Sequence, residues 1–213
     1  YGVFHSTLVA LEFLGLDIKD VSIAIEGFGN VGSFAAKFLA AKGARIVAVS
    51  DSKGCIYNKN GLDIEKLIEI KRETGKVTEY KDGEILPNTA IYGLEVDVLI
   101  PAALADVINE SNVNDVKAKV IVEGANIPIT LDAEKKLNER GVLIIPDFVA
   151  NAGGVISSYA EYMGYDEKKA FRLIEEKIRK NTKLVLERAK EKKIPPREAA
   201  LEIAKERVRK AMA

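Results

Sequence analysis

The stretch "EGFGNVG", Glu26–Gly32, decides the fold because its three glycines are spaced regularly between a strand pattern and a helix pattern. It follows the apolar run "VSIAI" and opens the helical pattern "NVGSFAAKFLAAKG". In a G-x-G-x-x-G turn the first glycine permits a tight turn and the second lets the backbone approach a pyrophosphate. The third allows close packing of helix on strand. The stretch therefore predicts a dinucleotide-binding turn made of Gly27, Phe28, Gly29, Asn30, Val31 and Gly32.

An acidic residue follows this turn at the spacing typical of dinucleotide sites. Asp51 ends the next apolar run, "ARIVAVSD", 19 residues beyond Gly32. A carboxylate about 20 residues on accepts hydrogen bonds from the adenosine ribose of NAD and would repel the 2'-phosphate of NADP. Ser52, Lys53 and Lys71 nevertheless carry side chains that suit a phosphate, although solvated surface charge also explains the two lysines. The residues leave NAD and NADP both open.

Further apolar runs alternate with helical patterns along the chain. "VDVLIP" (96–101), "AKVIVEGAN" (118–126) and "GVLIIPD" (141–147) predict buried strands, whereas "SKGCIYNKNG" predicts a turn-rich loop. Continuous apolar strands that alternate with helices are typical of a parallel sheet covered on both faces. We therefore predict an α/β, Rossmann-type doubly wound, mostly parallel sheet over residues 1–165, with a leading helix over 1–16.

The last part of the chain, 166–213, predicts a helical tail of two charged amphipathic helices without a strand. Their predicted apolar faces are Phe171, Ile174, Ile178, Val185 and Ala189 in the first helix, and Ala200, Ala204, Val208 and Ala211 in the second.

Composition excludes several classes of protein. Lys+Arg and Asp+Glu both number 32, so the basic excess of a general nucleic-acid binder is missing. No apolar run would span a bilayer, and the single Cys55 forms no internal disulfide, so we expect a cytoplasmic protein with no membrane partner. The Lys- and Glu-rich composition, without tryptophan or glutamine, is similar to that of heat-adapted proteins. The single histidine, His5, is expected to be structural or solvated rather than catalytic.

Six stretches together resemble the glutamate dehydrogenases, within the glutamate, leucine, phenylalanine and valine dehydrogenase family. They are "YGVFHS", "GFGNVG", "VSDSKGCIYNKNGLD", "DVLIPAAL", "KVIVEGANIPIT" and "IPDFVANAGGVISS". The resemblance covers almost the whole chain and implies the oxidation of L-glutamate to 2-oxoglutarate and ammonia by hydride transfer to NAD or NADP.

The same resemblance implies roles for residues outside the glycine turn. Ala102 and Ala103 would pass beneath the ribose and nicotinamide, and Asn126 and Asn151 would contact the cofactor. Val155 and Ser158, in "NAGGVISS", would border the substrate, with Ser158 donating to its γ-carboxylate. Simple turn or cap chemistry is the alternative for both asparagines.

The family's catalytic lysine and aspartate belong to a preceding domain, and no lysine of this chain stands in a matching motif. The resemblance therefore implies an excised cofactor domain with no catalytic residue and no metal ligand. We expect it to bind dinucleotide without useful turnover, and to meet L-glutamate or 2-oxoglutarate only with the other domain. The full-length family is homo-oligomeric, whereas this chain is expected to be a monomer or a weak dimer. A leucine- or phenylalanine-type dehydrogenase domain and a non-catalytic dinucleotide-binding module are the alternatives.

Overall fold

The computed structural model describes residues 1–212 and shows one seven-stranded sheet with helices on both faces. The strands are β1 (Ser22–Glu26), β2 (Arg45–Asp51), β3 (Gly54–Tyr57), β4 (Glu84–Leu86), β5 (Val98–Pro101), β6 (Val120–Val122) and β7 (Leu143–Ile145). The helices are α1 (Gly2–Leu14), α2 (Asn30–Ala41), α3 (Ile64–Thr74), α4 (Leu131–Glu139), α5 (Asp147–Ala150), α6 (Gly153–Tyr162), α7 (Glu167–Lys192) and α8 (Pro196–Met212).

The strand order is β4-β3-β2-β1-β5-β6-β7, and β2, β1, β5, β6 and β7 are parallel. Each of the five predicted strands contains one of these five, so the predicted α/β fold class is confirmed. The crossover from β2 past β1 to β5 places the carboxyl ends of β1 and β5 side by side. Ligands of open parallel sheets bind at such a point.

The prediction of a loop over "SKGCIYNKNG" was wrong. Residues Gly54–Tyr57 form β3, which pairs antiparallel with β2, and β4 pairs antiparallel with β3. A strand of four residues flanked by turn residues carries too short a pattern to stand out. Cys55 is therefore a core residue of the sheet, and burial raises the pKa of its thiol to about 12.

Two apolar layers enclose the sheet because neighbouring residues on each strand point to opposite faces. Ile23 and Ile25 join the layer beneath α1, α2, α3, α7 and α8, whereas Ala24 joins the layer beneath α4. The sheet thus separates two cores.

The tail packs back on the first of these layers. α7 lies along α1, where the buried hydroxyls of Ser6 and Thr182 are 3.1 Å apart, and Val185 and Ala189 join the core. In α8 the predicted apolar face is confirmed at Ala200 and was wrong at its other three residues. The buried residues are Pro196, Ala199, Ala200 and Ile203, while Ala204, Val208 and Ala211 are exposed.

His5 lies buried between α1 and α7, where its ring meets the edge of the Tyr1 ring at a centroid distance of 4.4 Å. Burial lowers the pKa of His5 to about 4, against the attraction of Glu175 at 4.0 Å. The imidazole is neutral at pH 7, as a structural histidine would be. None of the helices described over 1–212 has the length and apolarity needed to cross a membrane.

Candidate functional site

A cleft of about 550 Å³ opens at the carboxyl ends of β1, β2 and β5. One side of it, which we call the glycine wall, is the turn over residues 26–32 that joins β1 to α2. The predicted residues that line this cleft are Gly27, Phe28, Gly29, Asn30, Val31, Asp51, Ser52, Lys71, Ala102 and Ala103. Thus all but three of the predicted cofactor residues lie around one hollow; Gly32, Asn126 and Asn151 do not line it.

Two of the three glycines of the glycine wall are required by the fold itself. Gly27 has φ +87°, and a Cβ on it would lie 2.7 Å from the Cβ of Ala103. A Cβ on Gly32 would lie 1.8 Å from the carbonyl oxygen of Gly27, so only glycine lets α2 start this close to β1.

Gly29 is different because nothing inside the protein demands a glycine there. Its φ of −88° and ψ of −156° are open to any residue, and a Cβ would meet no protein atom within 4 Å. That Cβ would point into empty space beside the N-terminus of α2, which is where free N–H groups attract an anion. The turn therefore leaves room for an external group to approach the backbone at Gly29.

Asp51 and Lys71 form an ion pair at the far end of the same cleft. Lys71 Nζ lies 2.6 Å from Asp51 Oδ2 and also donates to the carbonyl of Gly75. The carboxylate accepts further bonds from the backbone N–H groups of Val77 and Lys53. Burial tends to raise the pKa of Asp51, but the bonds from Lys71 and the two N–H groups outweigh it and leave the pKa lowered. Asp51 is therefore ionised, with its charge largely compensated by Lys71.

The opposite side of the site, which we call the asparagine wall, consists of two segments, the loop 123–127 and residues 147–151, which are α5 and Asn151 after it. Asn151 Nδ2 donates to Asn126 Oδ1 at 2.8 Å, so the two predicted asparagines are brought together. The two walls come into contact at Val31 of the glycine wall and Gly124 of the asparagine wall: a Cβ built on Gly124 would lie 3.3 Å from Val31 Cγ1. A second hollow of about 380 Å³ runs from Asn30 and Val31 to Asn151 and Gly154.

The two predicted substrate residues lie outside both hollows. Val155 is 76% exposed on α6, and Ser158 is exposed with its hydroxyl donating to the carbonyl of Gly154 at 3.3 Å. The two glycines before them differ in the space around them. A Cβ built on Gly153 would lie 3.1 to 3.2 Å from backbone atoms of Gly2, whereas a Cβ on Gly154 would face open space.

The sequence did not indicate several residues that line the cleft. Asn88, Thr89 and Tyr92 come from the 3₁₀ segment Asn88–Gly93, which has no helical or strand periodicity. Glu26 ends β1 with its carboxylate accepting the N–H of Ala103 at 3.2 Å, and burial raises its pKa.

Within residues 1–212 no group of three or more histidine, cysteine or acidic side chains could hold a metal ion.

The model of the Glutamate/Leucine/Phenylalanine/Valine dehydrogenase family matches residues 1–213 of this chain. The chain belongs to this family. The glutamate dehydrogenase of Aeropyrum pernix is 46% identical over 224 residues, which cover 100% of this chain and 53% of that protein. An NADP-specific glutamate dehydrogenase of Saccharolobus shibatae is 47% identical over 153 residues, covering 72% of this chain and 36% of that protein.

A solved structure supports the same family. The hetero-hexameric glutamate dehydrogenase of Thermus thermophilus superposes with a TM-score of 0.90 at 27% identity, over 99% of this chain and 51% of that one. The chain therefore spans about half the length, or less, of the relatives that it matches.

Proposed function

We propose that this chain is the NAD(P)-binding domain of a glutamate dehydrogenase and that it binds the dinucleotide without useful turnover of its own. The observation that carries the proposal is Gly29, a glycine that no contact within the described residues requires and that lines the cleft. It lies in the cleft at the N-terminus of α2, in a chain whose family relatives include NADP-specific enzymes.

We expect an extended dinucleotide to lie along the cleft in one direction. The pyrophosphate would lie over Gly29, Asn30 and Val31, where the N-terminal N–H groups of α2 are free. The adenosine ribose would lie toward Asp51 and Ser52, and the nicotinamide toward the asparagine wall. In that arrangement Ala102 and Ala103 form the floor beneath the ribose and nicotinamide.

The ion pair at the adenosine end bears on the choice between NAD and NADP. A free carboxylate would repel a 2'-phosphate, but the charge of Asp51 is compensated by Lys71 at 2.6 Å. Ser52 beside it is exposed and offers a hydroxyl. We therefore expect NADP to bind this chain at least as tightly as NAD.

The substrate side of the proposal concerns α6. A bound nicotinamide would supply the hydride acceptor for the oxidation, and the chain's own part would be to present the ring and border the substrate. Val155 and Ser158 are exposed on α6, so a second domain would have to enclose any glutamate held there. The Ser158 hydroxyl, which here donates to the Gly154 carbonyl, could donate instead to the γ-carboxylate of a glutamate, a contact that an apolar side chain would not offer. The cytoplasm stays the predicted location.

Calorimetric titration of the chain with NAD and with NADP tests the proposal, with Gly29→Ala as the decisive variant. The added Cβ points into the space assigned to the pyrophosphate, so we expect at least about a tenfold loss of affinity for both dinucleotides, roughly 1.4 kcal/mol. The fold should survive, with a free energy of unfolding within about 1 kcal/mol of wild type.

Gly93→Ala is the matched control. Its Cβ would lie 3.8 Å from the Asp115 carbonyl, an ordinary contact outside the cleft. If wild type bound neither dinucleotide, the proposed function would be wrong. Equal binding by wild type and Gly29→Ala would instead contradict the placement of the pyrophosphate.

A further inference from the structure

One guanidinium, that of Arg197 in the first turn of α8, is surrounded by three carboxylates. Arg197 Nε lies 2.5 Å from Glu134 Oε2, Nη2 lies 2.7 Å from Glu123 Oε2, and Nη1 lies 3.1 Å from Asp147 Oδ1. The fork geometry of arginine lets a single side chain reach all three.

These four groups are withdrawn from water. The side chains of Glu123, Glu134 and Asp147 are 0%, 6% and 10% exposed, and that of Arg197 is 16% exposed. Removing one member of such a buried cluster is costly because the remaining charges are left unpaired. The cluster therefore fixes where its carboxylates lie.

Two of the carboxylates have a second task in the asparagine wall. Glu123 Oε2 accepts the backbone N–H of Asp147 at 2.7 Å, and Asp147 Oδ2 accepts the backbone N–H of Ile127 at 2.9 Å. Each bond joins one segment of the asparagine wall to the other. Arg197 therefore pairs with the two carboxylates that link these two segments.

The loop that carries Asn126 needs such a restraint. Ile127, the next residue, has φ +48°, a left-handed conformation that a β-branched residue adopts only under strain. Ile127 is 56% exposed, so core packing does not hold it there. The bond from its N–H to Asp147 is one restraint, and the bond from the Asp106 N–H to the Ile127 carbonyl at 2.9 Å is a second. Asn151 ends the segment 147–151, and its backbone N–H donates to the Asp147 carbonyl at 2.8 Å.

We propose that Arg197 is a positioning residue for the nicotinamide half of the cofactor site, acting through Glu123 and Asp147 on Asn126 and Asn151. The inference rests on the proposed function, since it needs a dinucleotide whose nicotinamide meets the asparagine wall. It assigns the start of α8 a role in cofactor binding although Arg197 lines neither hollow of the site.

The test compares two ligands on the same chain, NAD and ADP-ribose. ADP-ribose has the adenosine and pyrophosphate but lacks the nicotinamide. Arg197→Met should weaken NAD about tenfold, equivalent to one or two hydrogen bonds lost, while ADP-ribose stays within about twofold of wild type. Arg197→Lys keeps the charge in a single point and should recover part of the loss. It also serves if the methionine variant does not fold.

A double variant separates positioning from general damage. Asn126→Ala should reproduce the selective loss of NAD, and adding Arg197→Met to it should cost little more, because both changes remove the same contact. Arg188→Met is the matched control. It breaks an arginine–glutamate pair between α7 and α8, that of Arg188 with Glu206 at 2.7 Å, away from the asparagine wall. It should leave both affinities unchanged.

Equal weakening of NAD and ADP-ribose by the Arg197 variants would overturn the inference, since the cluster would then be purely structural. Unchanged affinity for both ligands would overturn it too. The wild-type titration stands apart from these outcomes: if wild type bound neither ligand, the proposed function itself would fail before any variant was compared.

Discussion

The two walls of the site are built by opposite means. In the glycine wall the tightest constraint is local, because a Cβ on Gly32 would meet the carbonyl of Gly27 within one turn. In the asparagine wall they are distant, because Arg197 reaches carboxylates 50 to 74 positions away along the chain. One wall depends on missing side chains and the other on buried charged ones.

Because of this difference, the two walls should respond differently to substitution and to pH. Gly27 and Gly32 are limited by van der Waals contact, so the effects of substitutions at these two positions should be abrupt and independent of pH. The asparagine wall is held by ionisable groups, so its stability should respond to pH as well as to substitution.

Gly32→Ala is expected to have the largest effect. The new Cβ would lie 1.8 Å from the Gly27 carbonyl oxygen, so α2 would have to move away from β1. We expect a loss of at least about 4 kcal/mol in the free energy of unfolding, measured by urea denaturation. Ser33→Ala, the next position of α2, should change it by less than about 1 kcal/mol. If the Gly32→Ala chain unfolded at the wild-type urea midpoint, the turn and α2 would have moved apart at no cost in stability, and the steric argument for Gly32 would be wrong.

The same difference explains what the sequence could and could not predict. The glycine wall is contiguous, so its spacing alone indicated the turn, and Asp51 followed from its distance to Gly32. Glu123, Asp147 and Arg197 left no such signal, since an ion cluster across three elements has no period or motif. The family resemblance brought in Asn126 and Asn151 but said nothing of what holds them.

Helix α8 shows a related limit of periodicity. Its buried residues are Pro196, Ala199, Ala200 and Ile203, and its later turns are exposed. The predicted face followed a regular apolar spacing into turns whose apolar side chains are exposed, although polar contacts such as Arg188–Glu206 still join them to α7. Spacing shows where apolar side chains align, but not how far along the helix they find a partner. The ion cluster at Arg197 fixes that helix at its start.

Glu123→Gln should alter how stability depends on pH, and this is the second largest effect. Burial raises the pKa of Glu123 to about 7, aided by the neighbouring Glu134 and opposed by Arg197. A carboxyl with a raised pKa in the folded state binds its proton more tightly there than in the unfolded chain. Its contribution to stability is therefore complete below about pH 4.5 and is lost as the pH rises through 7.

The lost contribution amounts to about 3 kcal/mol between pH 4.5 and 7.5, at 1.36 kcal/mol per pKa unit. Glutamine cannot ionise, so the variant should lack this decline, as measured by urea unfolding across that range. His5 contributes the opposite slope, because its lowered pKa favours the folded state as the pH rises from 4 to 6.5, and it is common to both proteins. Glu139→Gln, on an exposed carboxylate of α4, should keep the wild-type profile. Identical profiles for wild type and Glu123→Gln would show that the cluster does not take up a proton.

The smallest expected effect concerns Gly154, which lies just beyond the asparagine wall at the start of α6. A Cβ there would meet no protein atom within 4 Å, and glycine inside a helix is less stable than alanine by up to about 1 kcal/mol. Gly154→Ala should therefore raise the free energy of unfolding by up to about 1 kcal/mol. Gly153→Ala is the matched counterpart, since its Cβ would lie 3.1 Å from the backbone nitrogen of Gly2, and it should destabilise the chain by about 1 to 3 kcal/mol. If both substitutions destabilised the chain alike, the open space beside Gly154 would be closed in solution. If only Gly153→Ala did so, the fold would require the first glycine of the pair alone, leaving the second, like Gly29, to be explained by a group outside the chain.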